Sequence, residues 1–279
     1  MRNKKNFYLA VSIVSLLIVV IALAAIGVLL LSYKQSSDDY SQLAQEARTE
    51  PTTVQAVATE ATEEPEPTVP LAEIPINFEY LREENEDIIG WITVDGTIID
   101  YPILYDDTYN LYYLSHNYSG TATGYGSIFV LSENADDFSD FNTVVYGHNM
   151  LDGQMFAQLH KFRGKDFFDS HGQIILYTPD RKLTYQVFAA YRTDNLNIIV
   201  NNDFSTEELR EAYIERIYTH TDFALFKPEY AVTASDRIIT LSTCIGNPDY
   251  RYVVQGVLVS DELGEFTQPQ ATDEEESES

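Results

Sequence analysis

Hydrophobic and polar positions divide the chain into three regimes. From Asn6 to Tyr33 no charged residue interrupts FYLAVSIVSLLIVVIALAAIGVLLLS. As a helix rising about 1.5 Å per residue, this run covers the roughly 30 Å hydrocarbon core of a bilayer with some tilt. A buried core helix would place polar residues along one face, and the stretch offers almost none. A secretory signal has an apolar region of only ~7–15 residues, so the pattern predicts a retained anchor within residues 1–33. Ala22, Ala24 and Ala25 leave its removal by cleavage open. Arg2, Lys4 and Lys5 before the span outnumber Lys34 just after it. By the positive-inside rule this predicts a single-pass protein of the cell membrane, N-terminus cytoplasmic and the bulk extracellular.

Residues 34–75 lack apolar periodicity and are rich in Thr, Glu, Ala and Pro, as in EPTTVQAVATEATEEPEPTVP. Self-repelling Glu and stiffening Pro predict a stalk. From 76 to 260 the pattern changes to short β-rich runs between turn residues. Strands are expected at Ile89–Val94, Thr97–Ile103, Ser127–Leu131, Thr143–Tyr146, Gln173–Tyr177, Leu183–Tyr191, Arg237–Thr243 and Tyr252–Val259, with Asp95-Gly96 as a two-residue hairpin signal. The expected fold is therefore mainly β with helical inserts, and eight strands suit a closed barrel. The inserts are Phe78–Glu86, Met155–Lys161 and Thr206–Tyr218, the last with Ser205 as cap and Glu208 as its capping-box partner. That helix lies in a connection from Arg192 to Asp236, long enough to be expected to carry function. Residues 261–279 read as a solvated acidic tail.

Charge narrows the partners. Among 279 residues, 44 acidic against 17 basic side chains give a formal net charge of −27. Polyphosphate repels such a surface, and no Lys/Arg cluster longer than Arg2 to Lys5 offsets it, so no nucleic-acid partner is expected. The single Cys rules out an intramolecular disulfide and any CxxC site.

That lone thiol, Cys244, is either buried filler or a reactive group. It closes the apolar run RIITLSTC and precedes the loop Ile245-Gly246-Asn247-Pro248, so it stands at a strand end, where a nucleophile is useful. Thiol attack on an acyl carbon needs a thiolate, a base or cation partner, and a donor to the developing oxyanion. His148, just past the strand in NTVVYGHN, is the most suggestive of five histidines, with Gly147 permitting a tight backbone. His116, His160, His171 and His220 look like surface residues. Arg251 opens the strand after the Cys loop, so antiparallel pairing would set its guanidinium beside the thiol. Each residue also has a plainer reading: an inert buried Cys, a hydrogen-bonded loop His, a solvated Arg.

The anchor followed by GWITVDGTIIDYPIL, GSIFVL, NTVVYGHNM, MFAQLHKF and TLSTC, with Arg shortly after, resembles the sortases over about 78–259. The long helical insert before TLSTC resembles class B. The resemblance implies an eight-stranded sortase-type barrel in a Gram-positive, membrane-anchored cysteine transpeptidase. It also implies that Cys244 attacks the Thr carbonyl of a C-terminal sorting signal on a surface protein. The thioacyl group would pass to an amine of a peptidoglycan precursor, or to water when no amine is present. His148 would serve as acid and then base, and Arg251 would bind the oxyanion or the signal's backbone. Tyr146, Ser242 and Thr243, with Asn110 and Leu114 in NLYYL, fall where class B enzymes line the signal groove. An NPxTx-like signal is favoured over LPxTG.

Six residues separate Cys244 from Arg251, shorter than in some class B members, which leaves Arg237 as an alternative arginine. The acidic tail is also atypical. Glu133, Asp136, Asp137 and Asp140 lack the alternation and central Gly of a calcium loop, so neither a metal nor another cofactor is expected. A pilin-polymerising sortase is the alternative within enzymes. An anchored adhesion or binding ectodomain is the alternative outside them.

Overall fold

The computed structural model describes residues 2–48 and 71–267. The chain divides into two units, residues 1–41 and the remainder from Gln42. Helix α1 (Arg2–Glu46) carries the apolar run. It supplies the one segment among the described residues long and apolar enough to cross a membrane. Leu16, Leu17, Val20 and Leu23 are exposed on its surface, as expected of side chains that meet lipid.

The helix overruns the expected stalk boundary at residue 34. Once a helix is nucleated each further residue adds a hydrogen bond at small cost, and the i,i+4 pairs Lys34–Asp38 and Gln42–Glu46 support the polar end. Within the second unit, Leu43 and Ala47 are fully buried against Ile74, Ile76 and Trp91. The rest of the expected stalk, residues 49–70, and of the expected tail, residues 268–279, lies outside the described residues.

Beyond the helix come β1 (Ala72–Ile74), α2 (Phe78–Glu84), β2 (Ile88–Val94), β3 (Asp100–Tyr105), a 3₁₀ turn (Tyr112–Leu114), β4 (Ile128–Val130) and β5 (Asn142–Tyr146). Then follow a 3₁₀ helix (Phe156–Arg163), α3 (Lys165–Ser170), β6 (Gln173–Tyr177), β7 (Arg181–Asp194), α4 (Glu207–Ile217), β8 (Leu225–Phe226), β9 (Ile238–Cys244) and β10 (Tyr250–Phe266). Eight strands lie in the order β10-β9-β5-β4-β3-β2-β6-β7, and β7 pairs back onto β10. The expected eight-stranded barrel is therefore closed, and closure removes its edges. Strand β8 adds to β7.

Both ends of the expected domain move outward. Strand β1 pairs in parallel with Gly264–Phe266 at the far end of β10, so residues 72–74 and 261–266 belong to the sheet. The polar composition that reads as stalk and tail conceals a buried Ile74 and a strand extended by pairing.

Two local expectations are corrected. Asp95-Gly96 does turn the chain, with Gly96 at φ +70, but the connection runs from Asp95 to Ile99. The Thr97 hydroxyl accepts from the Ile99 N–H and donates to the Val94 carbonyl, lengthening the loop before the ladder resumes at Thr93 and Asp100. Helix α4 is capped by Thr206, whose hydroxyl accepts from the Leu209 N–H, and not by Ser205. Glu207 and Glu208 complement the dipole in its first turn.

Helix α4 packs Tyr213, Ile214 and Ile217 against Phe188, Tyr191, Ile238 and Val253. A buried polar network pins it to the sheet. Asn142 Nδ2 and Gln255 Nε2 both donate to the Tyr213 hydroxyl, at 3.1 and 3.0 Å. Gln255 also accepts from Tyr191 and donates to Thr240, which donates to Asn142.

Candidate active site

Strand β9, IITLSTC, is buried along six of its seven residues because it lies between β5 and β10. It runs parallel to β5 with Tyr146 opposite Ser242, and antiparallel to β10 with Arg251 opposite Cys244. Two residues past the last paired position, His148 and Cys244 leave neighbouring strands at the same end. Such strands lie about 4.8 Å apart. One register thus gathers the three residues singled out from the sequence.

A cavity of about 300 Å³ opens at this end, lined in part by Leu114, Tyr146, His148, Ser242, Thr243, Cys244 and Arg251. Strand alternation puts Ser242 and Cys244 on one face and Thr243 on the other. Accordingly the Thr243 hydroxyl donates to the Gly147 carbonyl at 2.9 Å, and the Gly147 N–H donates to the Ser242 carbonyl at 3.2 Å. These bonds fasten the backbone before His148 to the strand of Cys244. Gly147 is required by space: a Cβ there would lie 2.5 Å from Ile128 Cδ1 and 2.7 Å from Phe156 Cγ.

The half-buried His148 ring donates from Nε2 to the Leu114 carbonyl at 2.6 Å, which fixes its tautomer. Cys244 is partly accessible. The Arg251 guanidinium donates to the carbonyls of Tyr250 and Pro248 at 3.1 and 3.4 Å. None of the ion pairs among the described residues engages it, so a positive fork remains at the cavity. Tyr146 stacks on Phe129 at 5.7 Å, and burial, together with the Glu133 carboxylate and against the Arg251 charge, pushes its phenol well up. It stays a neutral hydroxyl.

The residues matched by resemblance divide. Leu114, Tyr146, Ser242 and Thr243 line the cavity, although Thr243 uses its hydroxyl elsewhere. Asn110 does not line it: its side chain accepts from the Ser132 N–H and donates to Glu133, both at 2.7 Å. Arg237 precedes β9 at the end opposite Cys244, about 23 Å away at 3.3 Å per residue, and is paired with Asp261.

Sequence reasoning missed much of the lining. Leu111, Phe129, Leu131, Val253 and the segment 193–198 also line it. The last closes β7 and opens the long connection after it, whose length was the one signal available. Nor are the other four histidines simple surface groups. All are half-buried, with His116, His171 and His220 stacked on Tyr112, Phe167 and Tyr191. His160 lies tilted against Tyr252 and donates from Nε2 to the Cys244 carbonyl at 3.0 Å. Its place in MFAQLHKF conceals this, because the contact spans 84 residues.

Comparison with known proteins agrees with this geometry. The Sortase domain family matches residues 92–259. Sortase B of Listeria monocytogenes is 38% identical over 183 residues, covering 64% of this chain and 73% of the relative. The crystal structure of sortase B from Bacillus anthracis in complex with AAEK1 superposes with a TM-score of 0.66 at 32% identity, covering 82% of this chain and 99% of that one. A Staphylococcus aureus sortase B–substrate complex gives 0.65 at 26% identity, covering 82% and 98%. A closed eight-stranded barrel, a lone cysteine at a strand end and these relatives together lead to one assignment: the chain belongs to the sortase family, class B, and is a cysteine transpeptidase.

Proposed function

We propose that the chain anchors surface proteins to peptidoglycan by cleaving a C-terminal sorting signal after Thr, with Cys244 as nucleophile. The observation that carries this reading is the register that puts Cys244 opposite Arg251 and, by continuation of the β5 pairing, beside His148. The Cys244 thiol passes its proton to His148, and the resulting thiolate attacks the Thr carbonyl carbon, forming a C–S bond and an oxyanion that the Arg251 fork neutralises. Collapse breaks the C–N bond, and His148 gives the leaving amine its proton. An acceptor amine then attacks the thioester, passes its proton to His148 and releases the thiolate. The apolar side chains of the lining, among them Leu114, Tyr146, Leu196 and Ile198, would receive the signal's side chains, and an NPxTx-like signal is our preferred substrate. The apolar helix would hold the enzyme on the membrane with its N-terminus inside and the barrel outside, supported by Arg2, Lys4 and Lys5 ahead of the span.

Mass spectrometry of products from a sorting-peptide library, with and without an amine, tests the substrate and the acyl step. Cys244→Ala should abolish turnover, and His148→Ala should lower it by several powers of ten in a folded protein. An acyl adduct on any other residue, or near-normal turnover by the His148 variant, would sink the assignment. Protease added to intact cells should reach the barrel, and protection of the barrel would reverse the topology.

A further inference from the structure

We infer that His160 is a positioning residue: the 3₁₀ helix Phe156–Arg163 braces the backbones of both His148 and Cys244, and His160 is its anchor at the cysteine end. The inference rests on Cys244 as the nucleophile. At its first residue the helix holds one side of the site, where the Phe156 N–H donates to the His148 carbonyl at 2.9 Å. One turn later His160 Nε2 holds the other side, donating to the Cys244 carbonyl at 3.0 Å. Along this helix Phe156, Leu159 and Phe162 are fully buried, so it is fixed to the core and cannot slide.

The bond acts where the chain leaves the sheet. Cys244 is the last residue of β9, and its carbonyl belongs to the peptide that leads into the loop returning at Arg251. Holding that carbonyl fixes the peptide plane between the nucleophile and the loop whose Pro248 carbonyl also holds the arginine.

The ring is suited to one task only. A carbonyl accepts, so Nε2 must carry the proton, and Nδ1 is buried with no hydrogen-bond partner among the described residues. A second proton would therefore strand a buried N–H. Burial, reinforced by Arg163 and opposed by the bond to Cys244, holds the imidazole below the ordinary histidine range. His160 is thus a neutral, one-tautomer donor.

The test compares His160→Gln, His160→Asn and His160→Leu in the full chain, each checked for folding by thermal unfolding. The Gln amide nitrogen sits at the same number of bonds from Cβ as Nε2, whereas the Asn amide falls short. Per titrated thiol, the Leu and Asn variants should lose roughly tenfold in the rate of acyl-enzyme formation, with KM within about twofold and Gln within about threefold of the parent. Nitrogen NMR of His160 should show the Nε2–H tautomer, in the parent and in Cys244→Ala alike. Unaltered acylation in a folded Leu variant, equal impairment of Gln and Leu, or an Nδ1–H tautomer would overturn the inference. Cys244→Ala reports separately on the nucleophile, because its turnover tests that assignment whatever the His160 variants do.

Discussion

Replacing Thr243 with Val keeps the branched shape of a buried side chain and removes only the hydroxyl that donates to the Gly147 carbonyl at 2.9 Å. A neutral hydrogen bond contributes about 1 kcal/mol net, and a buried acceptor left without its donor costs about 1–3 kcal/mol. Gly147 is half-buried, so the lower part of that range applies and the expected loss is about 1–2 kcal/mol. For a folded part of roughly 200 residues this lowers Tm by about 3–6 °C. The slack is delivered to the residue before His148. If it is felt wholly in the transition state, kcat falls roughly tenfold, since 1.36 kcal/mol is a factor of ten. Because the hydroxyl faces away from the cavity, KM should stay within about twofold. Steady-state kinetics on a fluorogenic sorting peptide, beside a thermal melt, measure all three. A raised KM with unchanged kcat and Tm would refute the reasoning, since it would mean that the hydroxyl meets the signal.

Arg251→Lys keeps the charge but loses the planar fork, and loss of one oxyanion donor costs about 3–4 kcal/mol elsewhere, so turnover should fall on the order of a hundredfold. Arg237→Lys should leave kcat nearly intact while lowering Tm through its Asp261 partner; the opposite pattern would show the wrong arginine was chosen. Tyr213→Phe strands the buried Asn142 and Gln255 amide donors and should cost about 2–4 kcal/mol in urea unfolding, and an unaltered midpoint would mean that the network relaxes around the loss. Burial holds both His160 and His220 below the ordinary histidine pKa of about 6.5. The unfolded chain therefore takes up these protons first as pH falls, so their stabilising contribution is complete above about 6.5 and is lost below it. Tm should drop between pH 7.5 and 5, less steeply in His160→Gln; an equally steep fall in that variant would remove His160 from the account.

Local pattern alone determined a good deal. The uncharged run to Tyr33 predicts the membrane-length helix, Gln173–Tyr177 is a strand with the expected ends, and β-rich runs between turn residues give the eight strands of the barrel. These features depend on period and composition, which neighbours in sequence specify. Cys244 and His148 were legible for a similar reason, because a polar or reactive residue closing an apolar strand stands out locally. What crosses the sheet was not legible. The extension of β10 to Phe266 depends on pairing with β7 and β1, since its own composition is acidic. Whether Thr243 faces the signal or Gly147, whether Asn110 reaches the cavity, and which arginine stands by the thiol are questions of register, and a shift of one residue reverses each side chain's face. His160 shows the limit most plainly: nothing in its neighbours Leu159 and Lys161 marks it, and its partner is the carbonyl of Cys244, brought within 3.0 Å only when the barrel closes and the 3₁₀ helix packs against it.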